Sequence, residues 1–405
     1  MDIADLDVLC IGTTCVDMRN PEFDFLNDIR GDGLVADSSR TREVLQKWLE
    51  YDPARNVSAM GGGMLNVAPL IALAGGKAGI LTAMGNDLPG NLMKRIMYET
   101  SVMPIIEAEA GYPSSVSFVK PPEGGKREAI LHCPNAMDYF DANSCFHSAI
   151  GSGLKQGAIV HYAYSGLSRA MDENNSRRLA SLMQFCRESG YLTMADTHTY
   201  SPNPKEDIEA RKVIPQYNLL ESVLPHLDFF FCSQDEAMMI ANAFHYGLDA
   251  KHPIRNWHFL DATRHRFYKD GSPRIVGVTA GTSATLMYDT GRFATVVETI
   301  ESPYIITDAN NFVGAGDSFR AGIMLEWSKN PNYAINFSCG DRNIGYRDLE
   351  RLALMGHLMA ACYVTRNEAD PYGNIPKYED MVRVVDSGKK YADKAELMRD
   401  LKVME

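Results

Sequence analysis

The chain has 405 residues, with 40 Lys+Arg against 52 Asp+Glu, a formal net charge of −12 and 45% hydrophobic residues. A chain of this length holds a large core without disulfide or metal staples. The acidic balance argues against a nucleic-acid binder and a polybasic membrane-surface protein, but leaves room for an anionic small substrate held by local fields.

No run of 18 apolar residues occurs, so no spanning helix is expected. The first twelve residues carry Asp2, Asp5 and Asp7 and no basic residue, unlike a secretory signal. The eight cysteines are scattered without a CxxC pair and are expected as free thiols in a reducing, cytoplasmic setting.

In chain order, Val8-Leu9-Cys10-Ile11, stopped by Gly12, is apolar on both faces like a buried parallel strand. Residues 13–60 are polar around a short helical piece at 41–49. Residues 105–132 hold Ser115-Val116-Ser117-Phe118-Val119, a Gly-rich turn, and residues 127–131, which read as a β-hairpin. Further strands are expected at 158–160, 191–195, 229–232 and 275–278. Residues 175–188 repeat Leu179, Leu182, Met183 and Cys186 at helical spacing, and 235–244 reads as another helix. Residues 200–225 and 245–273 read as irregular insertions, while 349–364 and 378–401 read as helical. Strand–helix alternation of this kind predicts an α/β class with a mostly parallel, doubly wound sheet.

The strongest chemical signal is Gly314-Ala315-Gly316-Asp317, preceded by a strand-like run at 304–306 and followed by a helical run. Small residues at a helix start leave backbone N–H groups open to an anion, and the helix dipole adds positive potential. A carboxylate beside such a nest suits phosphoryl transfer to a hydroxyl: Asp317 takes the proton while the N–H groups of 314–316 hold the phosphoryl charge. Arg320 lies one turn on, placed either to approach a transferring phosphate or acceptor, or to orient Asp317 by a salt bridge.

This segment resembles the C-terminal signature of the ribokinase-like (PfkB) carbohydrate kinase family. Other pieces follow in the family's order: Gly61-Gly62-Gly63-Met64-Leu65-Asn66, then Gly75-Gly76 and Met84-Gly85-Asn86-Asp87, then residues 114–127 with Pro134-Asn135-Ala136. The resemblance implies a single ribokinase-like domain over 1–405 with a β-sheet lid built from parts of 13–60 and 105–132. It implies an ATP- and magnesium-dependent kinase acting on a sugar or nucleoside, and a homodimer through the lid. Asp17, Gly62 and Asn66 match the acceptor-binding positions. Thr279, Gly281, Ser283 and Asn367 match the nucleotide-binding segments. Glu236 matches the family's Glu near magnesium and phosphate, although Ser233 stands where the family has Asn.

Two more departures stand out. Asn311-Phe312-Val313 replaces the family's Asp-Thr-Thr, with Asp308 further back, altering the loop that in many members holds a monovalent cation. His198, after the strand ending at Asp196, reads as a loop histidine without a role. Of rival functions, a non-catalytic sugar- or nucleoside-binding regulator on the same fold is weighed against the intact Asp317. A dinucleotide oxidoreductase lacks its GxGxxG after the first strand, and no GxxxxGK[ST] occurs. Arg19, Arg127 and Arg169 are the candidate cations for a phosphorylated acceptor.

Overall fold

The computed structural model describes residues 1–20, 57–108, 111–120, 129–132, 135–201, 203–268, 272–290, 294–305, 313–333, 344–366, 372–373 and 375–403. Its main sheet has nine strands: β1 (Val8–Gly12), β4 (Ala78–Met84), β5 (Met103–Ala108), β8 (Ile159–Ser165), β9 (Leu192–Thr197), β10 (Phe229–Ser233), β11 (Arg274–Ala280), β12 (Ser283–Asp289) and β13 (Ala294–Glu301). The order is β13-β12-β11-β10-β9-β8-β1-β4-β5. All neighbours from β5 to β11 run parallel, and β12 and β13 append antiparallel.

Strand period two explains the layers. Val8 and Cys10 of β1 join one core cluster, with Phe229 and Phe231 of β10. Leu9 and Ile11 join the other, with Phe230 and Cys232. Both faces of the sheet are therefore covered, which is why these strands read as continuous apolar runs. The first face is packed by the helices Gly62–Leu73, Ala315–Lys329 and Tyr346–Val364. The second is packed by Arg169–Glu188, Gln234–Ala243 and Arg255–Phe267.

A smaller four-stranded sheet has β2 (Cys15–Arg19), β3 (Val57–Gly61), β6 (Val116–Lys120) and β7 (Ala129–His132) in the order β3-β2-β6-β7. β6 and β7 pair antiparallel, with Ser117 opposite His132, as the hairpin reading expected. Only Thr13 and Thr14 separate β1 from β2, and β3 passes from Gly61 straight into the Gly62–Leu73 helix. Two of the crossings between the sheets are thus made by very short connections.

Some expectations change. Residues 304 and 305 are not in a strand: β13 ends at Glu301, because its pairing with β12 runs out at Ser283. The supposed insertion 245–273 contains the Arg255–Phe267 helix, whose Phe259, Leu260 and Thr263 are buried at helical spacing. The 200–225 stretch holds three short helices, Pro204–Glu209, Pro215–Asn218 and Leu220–Val223. The helix read at 175–188 is continuous only after non-helical backbone at Glu173, Asn174, Asn175 and Ser176, which separates it from a short helical turn starting at Arg169. The 41–49 helical piece lies outside the described residues. No helix among the described residues is long and apolar enough to cross a membrane.

Candidate active site

The Ala315–Lys329 helix opens on Gly314, whose φ of 86° is left-handed. A Cβ there would stand 2.7 Å from the Tyr363 ring, so both conformation and packing require glycine. The first N–H groups of such a helix have no acceptor within it, and Gly314, Ala315 and Gly316 all line a cleft of about 790 Å³. Thr279, Gly281, Ser233, Glu236, Asp317 and Arg320 line the same cleft. The anion-hole segment and part of the expected nucleotide segment therefore meet at one place.

Asp317 is 4% exposed and accepts three side-chain hydrogen bonds. Its Oδ2 accepts from Asn66 Nδ2 at 2.8 Å and from Tyr164 Oη at 2.9 Å. Its Oδ1 accepts from Arg320 Nη2 at 2.5 Å. Asn66 is oriented in turn, because its Oδ1 accepts from Tyr363 Oη at 2.7 Å. Arg320 Nε lies 2.7 Å from Asp196 Oδ2, close enough for an ion pair but poorly aligned for a hydrogen bond. Asp196 is fully buried at the end of β9 and also faces His161 Nε2 at 3.3 Å. Carboxylates beside the guanidinium raise the Arg320 pKa against the opposing cost of desolvation, so it is a fixed cation. Burial, then Asp317 and Asp196, push the Tyr164 phenol up, so it remains a donor.

Glu236 caps its own helix. Its Oε2 accepts from Ser233 N at 2.8 Å while Ser233 Oγ accepts from Glu236 N, a reciprocal capping box. Its Oε1 accepts from Thr199 Oγ1 at 2.9 Å. Among the described residues no group of three or more His, Cys, Asp or Glu could hold a metal ion. That donor set still fits magnesium in one way, since this ion keeps several waters and needs only one or two carboxylates beside substrate phosphates. Asp235 and Glu236 both line the cleft.

A family model for pfkB family carbohydrate kinases matches residues 41–374. The chain belongs to this family. A cytidine kinase of Thermococcus kodakarensis is 24% identical over 288 residues, covering 69% of this chain and 84% of that protein. Among solved structures, Anopheles gambiae adenosine kinase in complex with P1,P4-di(adenosine-5) tetraphosphate superposes with a TM-score of 0.65 at 16% identity, covering 92% and 99% of the two chains. Fructokinase of Xylella fastidiosa with bound ATP gives 0.65 at 16%, covering 94% and 98%. The pfkB fold, a large mostly parallel sheet with a separate small one, is therefore shared across the chain. Membership also sets aside the reading of a binding regulator: this is a pfkB-type kinase.

Of the residues that the resemblance matches to acceptor binding, Asp17 and Gly62 do not line the cleft, and Asn66 reaches it only through Asp317. Asp17 lies on β2, 6% exposed, with Arg19 Nη2 3.3 Å from its carboxylate. A Cβ on Gly61 would fall 2.2 Å from Asp17 Oδ1, and one on Gly62, whose φ is 75°, 2.5 Å from the Thr13 carbonyl. The glycine run thus lets β3 and the helix start approach the Asp17 carboxylate and the β1–β2 crossing. Ser283 turns its Oγ onto the Ala280 carbonyl at 3.0 Å and is not part of the cleft lining. Asn367 and the 306–312 loop lie outside the described residues. Arg169 is exposed and faces Glu173, Arg19 is buried on Asp17, and Arg127 lies outside the described residues, so the first two do not form one basic pocket.

Sequence reading missed several participants. Tyr164 and Tyr363 look like core aromatics in a strand and a helix, and no local pattern marks their hydroxyls. His198, in the loop after β9 as expected, lines the cleft edge-on to the Tyr164 ring at 5.1 Å. His357 forms part of the wall, with Nε2 3.1 Å from the Ile300 carbonyl.

Proposed function

We propose that this kinase transfers the γ-phosphoryl group of ATP, with magnesium, to a hydroxymethyl group of a sugar or nucleoside. The observation that carries this reading is Asp317: a buried carboxylate in the first turn of an open helix N-terminus, at the cleft wall. A carboxylate has about four lone-pair sites. Asn66, Tyr164 and Arg320 occupy three, which leaves one on Oδ1 for the acceptor hydroxyl. Asp317 takes that proton while the N–H groups of Gly314, Ala315 and Gly316 hold charge on the phosphoryl oxygens.

Asp17, Gly62 and Asn66 would position the acceptor; Thr279 and Gly281 would face the nucleotide, with Ser283 holding their turn and Asn367 placed there by resemblance alone. Bound magnesium would neutralise phosphate charge, with Glu236 and Asp235 on its side of the cleft. The small sheet would serve as a lid whose closure excludes water, the competing acceptor. A homodimer through that sheet and a cytoplasmic location complete the proposal, with 1–405 acting as one domain. The names of the similar proteins, a cytidine kinase, an adenosine kinase and a fructokinase, support an acceptor of the sugar or nucleoside class.

A coupled ADP-release screen over sugars, sugar acids, sugar phosphates and nucleosides tests this. Acceptor-dependent ADP release with at least one compound is expected. Its absence over the whole panel, with folded protein, overturns the assignment.

A further inference from the structure

The geometry points to Arg320 as a catalytic residue that touches the phosphoryl group in flight, not merely a partner of Asp317. This rests on the kinase reading above. The guanidinium has three nitrogens facing three directions. Nη2 donates to Asp317, and Nε faces Asp196. Nη1 makes no hydrogen bond among the described residues, and it is not among the buried polar atoms sealed from solvent. It also approaches Gly316: a Cβ built there would stand 3.7 Å from Nη1 and 3.9 Å from Nη2. Arg320 lines the cleft together with Gly314, Ala315 and Gly316. One N–H-bearing edge of a fixed cation therefore faces the place where the helix N-terminus offers its own N–H groups.

The cost of this arrangement argues for a use. Arg320 is 7% exposed, and a buried guanidinium is expensive unless its donors are met. Yet Nε is misaligned, and Asp196 Oδ1 and His161 Nδ1 are buried without partners. A purely structural ion pair would close such a network; this one is held by two carboxylates and left open on the cleft side. Planar, always charged and pre-aimed, a guanidinium suits the equatorial oxygens of a transferring phosphoryl group.

In the step itself the acceptor oxygen forms a bond to the γ-phosphorus as the bond to the β,γ-bridging oxygen breaks. The electron pair leaves with ADP, and the hydroxyl proton passes to Asp317. Arg320 neither gains nor loses a proton. Its Nη1 donates to a γ-phosphoryl oxygen, and its contact tightens as charge builds there.

The test measures affinity for a non-hydrolysable ATP analogue and for ADP plus aluminium fluoride, in wild type, Arg320→Ala, Asp317→Asn and the double variant, beside turnover. Arg320→Ala is expected to lower kcat about 100-fold or more and to weaken the aluminium fluoride complex about 30-fold, with analogue affinity within about 3-fold. The same weakening is expected in the Asp317→Asn background. A loss confined to proteins that retain Asp317, or an equal loss for both ligands, would reduce Arg320 to a positioning residue and overturn the inference. If Arg320→Ala does not fold, Arg320→Lys answers the same question, with an intermediate loss expected and an unchanged aluminium fluoride complex overturning it. A wild-type chain that fails the acceptor screen overturns the kinase reading as well, whereas an active wild type with an equally active Arg320→Ala overturns this inference alone.

Discussion

The two sides of Asp317 are built differently. The cleft side is built largely from backbone: a helix N-terminus at Gly314, a β11–β12 turn at Gly281, and a helix cap at Ser233. The side proposed for the acceptor is made of side chains packed on one another: Asp17 against Gly61 and Arg19, and Asn66 between Tyr363 and Asp317. Backbone recognition demands glycines and small residues at fixed spacing, which leave a pattern in the sequence. Side-chain recognition depends on partners up to 297 positions apart, as for Tyr363 and Asn66, and leaves none.

Asp317 belongs to both sides, so its loss separates them least and costs most. Asp317→Asn is expected to lower kcat about 10³-fold or more while ATP-analogue affinity stays within a few-fold. Near wild-type turnover would show that the two sides do not meet at this carboxylate. Asn66→Ala removes one donor to Asp317 and strands the Tyr363 hydroxyl, and a 10- to 100-fold fall in kcat is expected, about 1.4–2.7 kcal/mol.

Gly61→Ala acts on the acceptor side alone. The new methyl group displaces the Asp17 carboxylate, so the acceptor KM is expected to rise about 10-fold with the ATP KM unchanged. A matching rise in both would erase the distinction between the sides.

The smallest effect belongs to the cleft wall. Desolvation holds the pKa of His357 down to about 4, against an ordinary value near 6.5. The unfolded chain therefore binds this proton first. Stability is full above pH 6.5 and is lost as pH falls toward 4. His357→Gln is expected to shrink the fall in Tm between pH 7 and pH 5 by about 2–4 °C. An unchanged acid slope would mean that this ring is protonated within the fold.

Much of the fold was legible because its strands are buried on both faces and so read as unbroken apolar runs, as at Val8–Gly12 and Phe229–Ser233. β2 and β3 were not. Cys15–Arg19 mixes Asp17 and Arg19 with apolar residues, so neither strand periodicity nor composition separates it from a polar loop. Arg255–Phe267 was hidden by its many charged and polar residues, which cover a narrow buried stripe. The Gly-Ala-Gly-Asp turn was marked by its spacing together with the family's other signatures, but the role of Arg320 was not. At i+3 it could have turned either way, and only Asp196, brought in from a different strand, shows how it is pinned.

The crossing from β3 into the Gly62–Leu73 helix has a thermodynamic consequence. Gly61 abuts the carboxylate of Asp17, and five residues later Asn66 holds Asp317 beside the cleft. If the small sheet takes the acceptor and the cleft the nucleotide, as proposed, one continuous segment meets both. Heterotropic linkage is reciprocal, so whatever factor the acceptor applies to nucleotide affinity, the nucleotide applies to the acceptor. A twelve-residue helix, rather than the cleft itself, would set the size of that cooperativity.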